Sequence, residues 1–269
     1  TNGATEAIFD AALAFAGAGD EIVAFEPFYD SYPASAALGG ATFVPVRLNP
    51  PDWRFDPDVL ADAITPRTRF LLLNTPHNPT GKVFSRQELE SIAKLAIQRD
   101  ILVITDEVYD RIAFAPAEHI PIASLPGMWE RTISINSTGK TFSMTGWKIG
   151  YAVGPAELVG AIQIVHQFVT FASPTPFQDA MASAMEQARG NGYYDQLKRD
   201  YTHRRDLLAN SLAQAGLETL PIGGSYSLMA DIAGRGFEND VAFCEWLVET
   251  AGVVALPPSA FYQDPTTAP

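Results

Sequence analysis

The sequence has a single cysteine, Cys244, in 269 residues, so the chain cannot form an internal disulfide bond. It has no apolar run of membrane-span length, and its first residues show no basic segment followed by an apolar one. We therefore expect a protein of the cytoplasm that has no membrane partner. Cys244 lies in the apolar stretch VAFCEWL, which favours a packed core thiol over a nucleophile.

Basic residues are also scarce. The chain has 18 lysines and arginines against 31 aspartates and glutamates, which gives a net charge of −13. An acidic surface repels nucleic acid, so we expect no nucleic-acid partner. Charged residues make up only 18% of the chain and hydrophobic residues 47%, which indicates a large folded core and excludes a disordered chain. The length fits one large domain or two ordinary ones.

Short apolar segments alternate with helical patterns in the first part of the chain. We predict strands at residues 21–25, 42–46, 70–74, 101–105 and 132–135, with an antiparallel edge strand at 151–153. This alternation predicts a mainly parallel α/β sheet flanked by helices. Helical patterns dominate after Pro155, at 158–168, 176–187 and 193–215, and a short strand is predicted at 253–256. We therefore divide the chain into a large domain, 1–190, and part of a smaller α+β domain, 191–269.

Polar and aromatic residues follow the predicted strands. Tyr29 comes after EIVAF, Asn78 after FLLLN, and Asp106 and Glu107 after ILVIT. Ligands of parallel sheets bind beyond the carboxyl ends of the strands, so these side chains are candidates for one site. Each also has an ordinary structural explanation, such as core packing or helix capping.

The segment from Ser134 to Tyr151, SINSTGKTFSMTGWKIGY, contains two lysines in an otherwise uncharged setting, Lys140 and Lys148. A lysine among small residues can lose its proton and become an amine nucleophile, as Schiff-base chemistry requires. At the other end of the chain, Asn2-Gly3-Ala4-Thr5 precedes a helical pattern. A helix start with a glycine favours an anion, although an ordinary N-cap has the same appearance.

Several longer motifs occur together and in a family-like order. They are EPFYDSY, NTPHNPTGKVFSRQELE, ITDEVYDRIAF, the lysine segment and GGSYSLMADI. With them the chain resembles pyridoxal-phosphate enzymes of fold type I, in the class I/II aminotransferase superfamily. The sequences of these motifs are most similar to the branch of kynurenine aminotransferase, glutamine transaminase K and methionine aminotransferases. The resemblance covers essentially the whole chain.

The resemblance assigns roles around the cofactor ring. Lys140 matches the Schiff-base lysine, which also moves the proton during catalysis, and Asp106 matches the carboxylate that pairs with the pyridine nitrogen. Asn78 and Tyr109 match the two groups that hydrogen-bond the phenolic oxygen. Tyr29 stands where an aromatic side chain stacks on the ring.

The resemblance also implies a phosphate site and a partner. The predicted phosphate-binding residues are Gly3, Ala4, Thr5, Ser137 and Lys148. Many relatives have arginine where Lys148 stands, so a lysine here keeps the charge and loses bidentate geometry. Family members form homodimers, so we expect one here, and no metal is implied.

Three expected family features are not found in the sequence. The arginine that binds the substrate α-carboxylate would follow Pro269, and the N-terminal lid and the tyrosine lent to the partner subunit would precede Thr1. We therefore expect a native protein longer than this chain. Ala172 follows Phe171 where kynurenine-preferring members carry an aromatic residue or histidine, which weakens a kynurenine assignment.

The predicted function is transfer of an amino group from a neutral amino acid to a 2-oxo acid by a ping-pong mechanism. Methionine, glutamine and aromatic amino acids are the expected donors, because Tyr29, Phe171, Tyr226 and the Gly223-Gly224 turn provide no cation for a second carboxylate. Two alternatives stay open. One is a β-lyase of cysteine conjugates or cystathionine on the same fold, and the other is a cofactor-binding sensor domain of a transcription regulator.

Overall fold

The computed structural model describes all residues, 1–269. A six-stranded sheet has the strand order β2-β1-β3-β4-β5-β6, in which only β6 runs antiparallel to its neighbour. The strands are β1 Glu21–Glu26, β2 Thr42–Arg47, β3 Thr68–Asn74, β4 Leu102–Asp106, β5 Thr132–Ser137 and β6 Gly150–Val153. The predicted parallel sheet and its antiparallel edge strand are confirmed.

Helices cover the sheet on both faces and continue beyond it. They are α1 Gly3–Phe15, α2 Ser31–Gly39, α3 Pro57–Ala63, α4 Arg86–Arg99, α5 Thr138–Thr141, α6 Ala156–Val169, α7 Thr175–Ala188 and α8 Tyr193–Gln214. α4 begins with a capping box. The Ser85 hydroxyl accepts from the Glu88 backbone N–H, and the Glu88 carboxylate accepts from the Ser85 backbone N–H.

The sheet separates two hydrophobic cores, and the alternation of side chains along β3 explains this. Phe70 and Leu72 point into the core that α1 and α2 cover, and Leu71 and Leu73 point into the core that α4 covers. All four are almost fully buried. An apolar strand without polar alternation is typical of a parallel sheet buried on both faces. Because both faces are covered, a ligand can reach this sheet only at the ends of its strands.

The chain after residue 215 contains little regular structure. β7, Glu218–Thr219, pairs with β8, Ala230–Asp231, and α9 spans Asp240–Trp246. The strand predicted at 253–256 is wrong. No strand lies beside this segment to form a ladder, and Val254 and Leu256 are largely exposed. The division of the chain at residue 190 stays a prediction.

Cys244 is buried and free, as expected for a packed thiol. None of the helices combines the length and the apolar character that a membrane span requires.

Candidate functional site

A cavity of about 190 Å³ opens at the carboxyl ends of the central strands. Residues from six separate segments of the chain line it. All ten residues predicted from the sequence are among them: Gly3, Ala4, Thr5, Tyr29, Asn78, Asp106, Tyr109, Ser137, Lys140 and Lys148. The structure therefore brings the whole predicted set together in one place.

Asp106 is the buried acid of this cavity. It is the last residue of β4, and only 5% of its surface is exposed. Its carboxylate accepts hydrogen bonds from the Tyr32 hydroxyl at 2.7 Å and from the Val108 backbone N–H at 3.3 Å. Burial raises the pKa of Asp106 to about 6, although both hydrogen bonds favour the charged form. A cation placed against this carboxylate would stabilise its ionised form further.

Asn74 fixes the two strand ends beside Asp106. Its side-chain amide donates to the Asp106 backbone carbonyl at 2.9 Å, and its side-chain oxygen accepts from the Asn78 backbone N–H at 2.6 Å. One side chain thus ties the end of β3 to the end of β4 and to the following turn. This network holds Asn78 at the rim of the cavity.

Lys140 projects into the cavity from α5. Its Nζ donates a hydrogen bond to the Tyr226 hydroxyl at 2.8 Å and lies 5.9 Å from the centre of the Tyr109 ring. The rings of Tyr109 and Tyr226 meet edge to face at 5.2 Å. Burial raises the pKa of Tyr226, but its hydrogen bonds with Lys140 and Tyr109 outweigh burial and leave that pKa below its ordinary value. Burial, followed by the hydrogen bond with Tyr226, raises the pKa of Tyr109.

The start of α1 forms another wall of the cavity, and the side chain of Asn2 does not cap it. The first N–H groups of a helix favour an anion when no side chain satisfies them. Gly3 has a φ of +79°, and a Cβ added there would lie 3.5 Å from Cε and 3.6 Å from Nζ of Lys148. The ammonium group of Lys148 therefore stands directly beside the helix start.

Gly150 explains how Lys148 comes so close to α1. A Cβ at Gly150 would lie 2.4 Å from the Gly3 carbonyl carbon, so only glycine lets β6 pack on the helix start. Nearby, Ser137 caps α5, and its hydroxyl accepts from the Gly139 backbone N–H at 3.0 Å. A helix start, a lysine and a serine hydroxyl are groups of the kind that bind anions in proteins.

Three other candidates from the sequence lie outside the cavity. Glu107 faces away from it, because its carboxylate accepts from Thr105, Ser134 and His119. Phe171 is 78% exposed and does not line the cavity. The Gly223-Gly224 turn also does not line it, since Gly224 packs tightly against the Ile112 carbonyl and Pro76.

Among the lining residues that sequence reasoning missed, Tyr32 and Asn74 have side chains that hydrogen-bond to Asp106. Tyr32 lies in the EPFYDSY motif, from which the resemblance selected Tyr29 instead. The rings of the two tyrosines meet edge to face, with their centres 5.7 Å apart. Asn74 ends the apolar segment FLLLN, and a polar residue ending a buried strand was the available signal.

The site can now be compared with known proteins. A family model described as aminotransferase class I and II matches residues 1–267. The probable N-succinyldiaminopimelate aminotransferase of Mycobacterium tuberculosis is 44% identical over 97% of this chain and 66% of its own length. The methionine aminotransferase of Escherichia coli is 40% identical over 98% of this chain and 68% of its own length. The chain thus spans about two thirds of these relatives.

A solved structure gives the same result for the fold. The N-succinyldiaminopimelate aminotransferase structure from Mycobacterium tuberculosis superposes with a TM-score of 0.94 at 43% identity, over 98% of this chain and 69% of that chain. This confirms the fold-type I architecture that the resemblance implies. The chain belongs to the class I and II aminotransferase family.

Proposed function

We propose that the protein is a pyridoxal-phosphate-dependent aminotransferase that transfers an amino group from a neutral amino acid to a 2-oxo acid by a ping-pong mechanism. The observation that carries this proposal is that a lysine amine, a buried carboxylate and the groups of the predicted phosphate site line the same cavity. Enzymes of the family use pyridoxal phosphate.

The residues of the cavity fit that cofactor. The start of α1, Ser137 and Lys148 provide donors and positive charge for a phosphate group, and the left-handed Gly3 keeps side-chain atoms away from it. Asp106 provides a carboxylate for a protonated ring nitrogen. The cavity thus offers complementary groups for both charged ends of the cofactor.

When bound, pyridoxal phosphate supplies an electron sink for the carbanion left when the substrate loses its α-proton. The role of Asp106 is electrostatic, since a buried carboxylate favours the protonated ring nitrogen. In this proposal Asn78 and Tyr109 would donate hydrogen bonds to the phenolic oxygen. Tyr29 provides an aromatic face for the ring.

Lys140 has two functions in this proposal. Its Nζ holds the cofactor covalently, and the amine, once displaced by substrate, takes and returns the substrate α-proton. Tyr226 accepts a hydrogen bond from this Nζ and so orients the amine within the cavity. A fixed orientation helps the amine to act as a general base, because a general base has to lie close to the proton that it takes.

The cavity predicts the charge of the preferred substrate. Its charged lining residues are Asp106, Lys140 and Lys148, all of which the cofactor would occupy, and no arginine lines it. This argument for a neutral substrate differs from the one based on the sequence, because Phe171 and the Gly223-Gly224 turn do not line the cavity. A distal carboxylate left without a partner would cost roughly 1–3 kcal/mol or more.

We expect kcat/KM for methionine to exceed that for aspartate at least ~10-fold, because about 1.4 kcal/mol corresponds to a factor of ten. The measurement compares the two donors with one common 2-oxo acid acceptor. Glutamine serves as a control of similar size that is polar and neutral. Aspartate used as well as methionine would show that a cation reaches the substrate and that this prediction is wrong.

A second donor is tested in the same assay. The relative at 44% identity is named for N-succinyldiaminopimelate, so this compound is the competing substrate. A kcat/KM for it far above that of methionine would favour this second function. The β-lyase and sensor-domain alternatives are not favoured by the relatives found.

We also propose that the protein is a C2 homodimer of the cytoplasm. Three large apolar side chains on and just after α6, Ile164, Phe168 and Phe171, are 63%, 82% and 78% exposed. The apolar side chains of α1, by contrast, are mostly buried in its own core, so α6 carries the exposed apolar patch. What supports the compartment is the free, buried Cys244, because free thiols are kept reduced in the cytosol.

Light scattering should give twice the mass of one subunit. Phe168→Glu should weaken the dimer by about 30-fold or more, as expected for a buried aromatic anchor of an interface. Leu38→Glu is the matched control, because Leu38 on α2 is 74% exposed and lies off this patch. A fully active monomer would contradict the dimer.

A further inference from the structure

α1 and α6 pack against each other and bring three potential ligand side chains together outside the cavity. Glu6 and Asp10 are one helical turn apart on α1, and His166 reaches them from α6. One donor atom from each residue lies within 4.8 Å of the other two. None of the three lines the proposed cofactor cavity.

Asp10 is the unusual member of this cluster. It is fully buried, and neither of its carboxylate oxygens has a hydrogen-bond partner. Nδ1 of His166 lies 3.8 Å from its Oδ2, beyond hydrogen-bond distance. Buried carboxylates without partners are rare, and such a group indicates a ligand that satisfies it.

Glu6 is held in place beside Asp10 by several donors. Its Oε1 accepts from Nδ1 of His166 at 2.9 Å and also from the Thr170 hydroxyl, and its Oε2 accepts from the Asn2 backbone N–H. The carboxylate is therefore fixed in orientation with one oxygen toward His166 and Asp10. His166 belongs to α6, so the cluster is built on two helices that pack against each other.

Two carboxylates and one imidazole form a donor set that suits first-row divalent cations. Zn²⁺ binds carboxylate oxygen and imidazole nitrogen at about 2.0–2.2 Å, so its ligands lie roughly 3–4 Å apart. The Nδ1 atom of His166 lies 2.9 Å from Glu6 and 3.8 Å from Asp10, close to that separation. Three protein ligands leave a fourth position for water.

We propose that Glu6, Asp10 and His166 form a binding site for a divalent transition-metal cation, with Zn²⁺ as the best match. The cation would take the place of the proton between His166 and Glu6 and provide Asp10 with its missing partner. Because α1 begins at Gly3, where it lines the cavity, the cation would fix the helix that carries the anion site. Its function would be structural.

The test uses the purified protein with its cofactor bound, treated with a chelator and then titrated with Zn²⁺ at neutral pH. Bound metal is counted by elemental analysis, and affinity is measured by competition with a chromophoric chelator. We expect one equivalent per chain in the wild type. Asp10→Asn and His166→Gln should each weaken binding at least ~10-fold, since even indirect partners of metal ligands commonly cost 10–100-fold.

His203→Gln is the matched control, because His203 is an exposed imidazole on α8 that could bind Zn²⁺ adventitiously. It should bind one equivalent as the wild type does. Zn²⁺ should also raise the thermal midpoint of the wild type and leave that of Asp10→Asn unchanged. Asp10→Asn preserves side-chain size, and circular dichroism without metal shows whether it folds.

Absence of stoichiometric binding by the wild type, or equal binding by Asp10→Asn, would overturn the metal site. A proton shared among the three side chains would then account for the cluster. Neither result depends on the aminotransferase activity, so the two proposals fail separately.

Discussion

Lys140→Ala should lose covalent cofactor binding and reduce turnover by at least ~10²–10⁴-fold, the usual contribution of a positioned proton-transfer group. Lys140 is one of two lysines that line the cavity, and the other, Lys148, stands beside the start of α1. Alanine removes both the amine that bonds the cofactor and the amine that moves the proton. The absorbance of the purified variant and its turnover with methionine measure the two losses.

Lys94→Ala is the control for the lysine prediction, because Lys94 is exposed on α4, away from the cavity. It should keep the wild-type spectrum and turnover. Turnover by Lys140→Ala within a factor of ten of the wild type would reject the assignment of the amine. Loss of activity in both variants would point to a general effect on folding instead.

Asp106→Asn should keep the cofactor and lose about 10²–10³-fold in kcat, as when a preorganised electrostatic group is removed from an active site. Asparagine has nearly the same shape, and its single carbonyl oxygen can still accept from one of the two donors, the Tyr32 hydroxyl or the Val108 backbone N–H. It has no negative charge to hold a proton on a ring nitrogen, so the electron sink becomes weaker. The measurement is kcat at saturating cofactor.

The neighbouring carboxylate provides a matched control. Glu107→Gln changes a buried acid next in sequence that faces Thr105, Ser134 and His119 instead of the cavity. It should lower the thermal midpoint and keep kcat near the wild-type value. A variant Asp106→Asn with near wild-type turnover would remove the electrostatic role.

The sequence predicted the sheet and the site because both depend on local patterns. Apolar segments ending in Asn74 and Asp106 marked strands buried on both faces, and parallel strands bring their carboxyl ends to one edge. The ten predicted residues therefore meet in one cavity. The family resemblance of the motifs identified which polar residues at the strand ends belong to the site.

Side-chain contacts between distant segments could not be predicted in this way. The Tyr32 hydroxyl reaches Asp106 from 74 positions away in sequence, and no spacing rule indicates which of two tyrosines in EPFYDSY does so. The same limit explains Glu107, which follows a strand end as Asp106 does but points to the opposite side. The failed strand at 253–256 shows that an apolar segment needs a neighbouring strand as well as the right residues.

The most direct test of the account is to find which lysine bonds the cofactor. The protein with bound pyridoxal phosphate is reduced with borohydride, digested and analysed by peptide mapping. The account predicts a single pyridoxyl adduct on Lys140, in the segment SINSTGKTFSMTGWKIGY. An adduct on Lys148 or Lys82 in its place would contradict it.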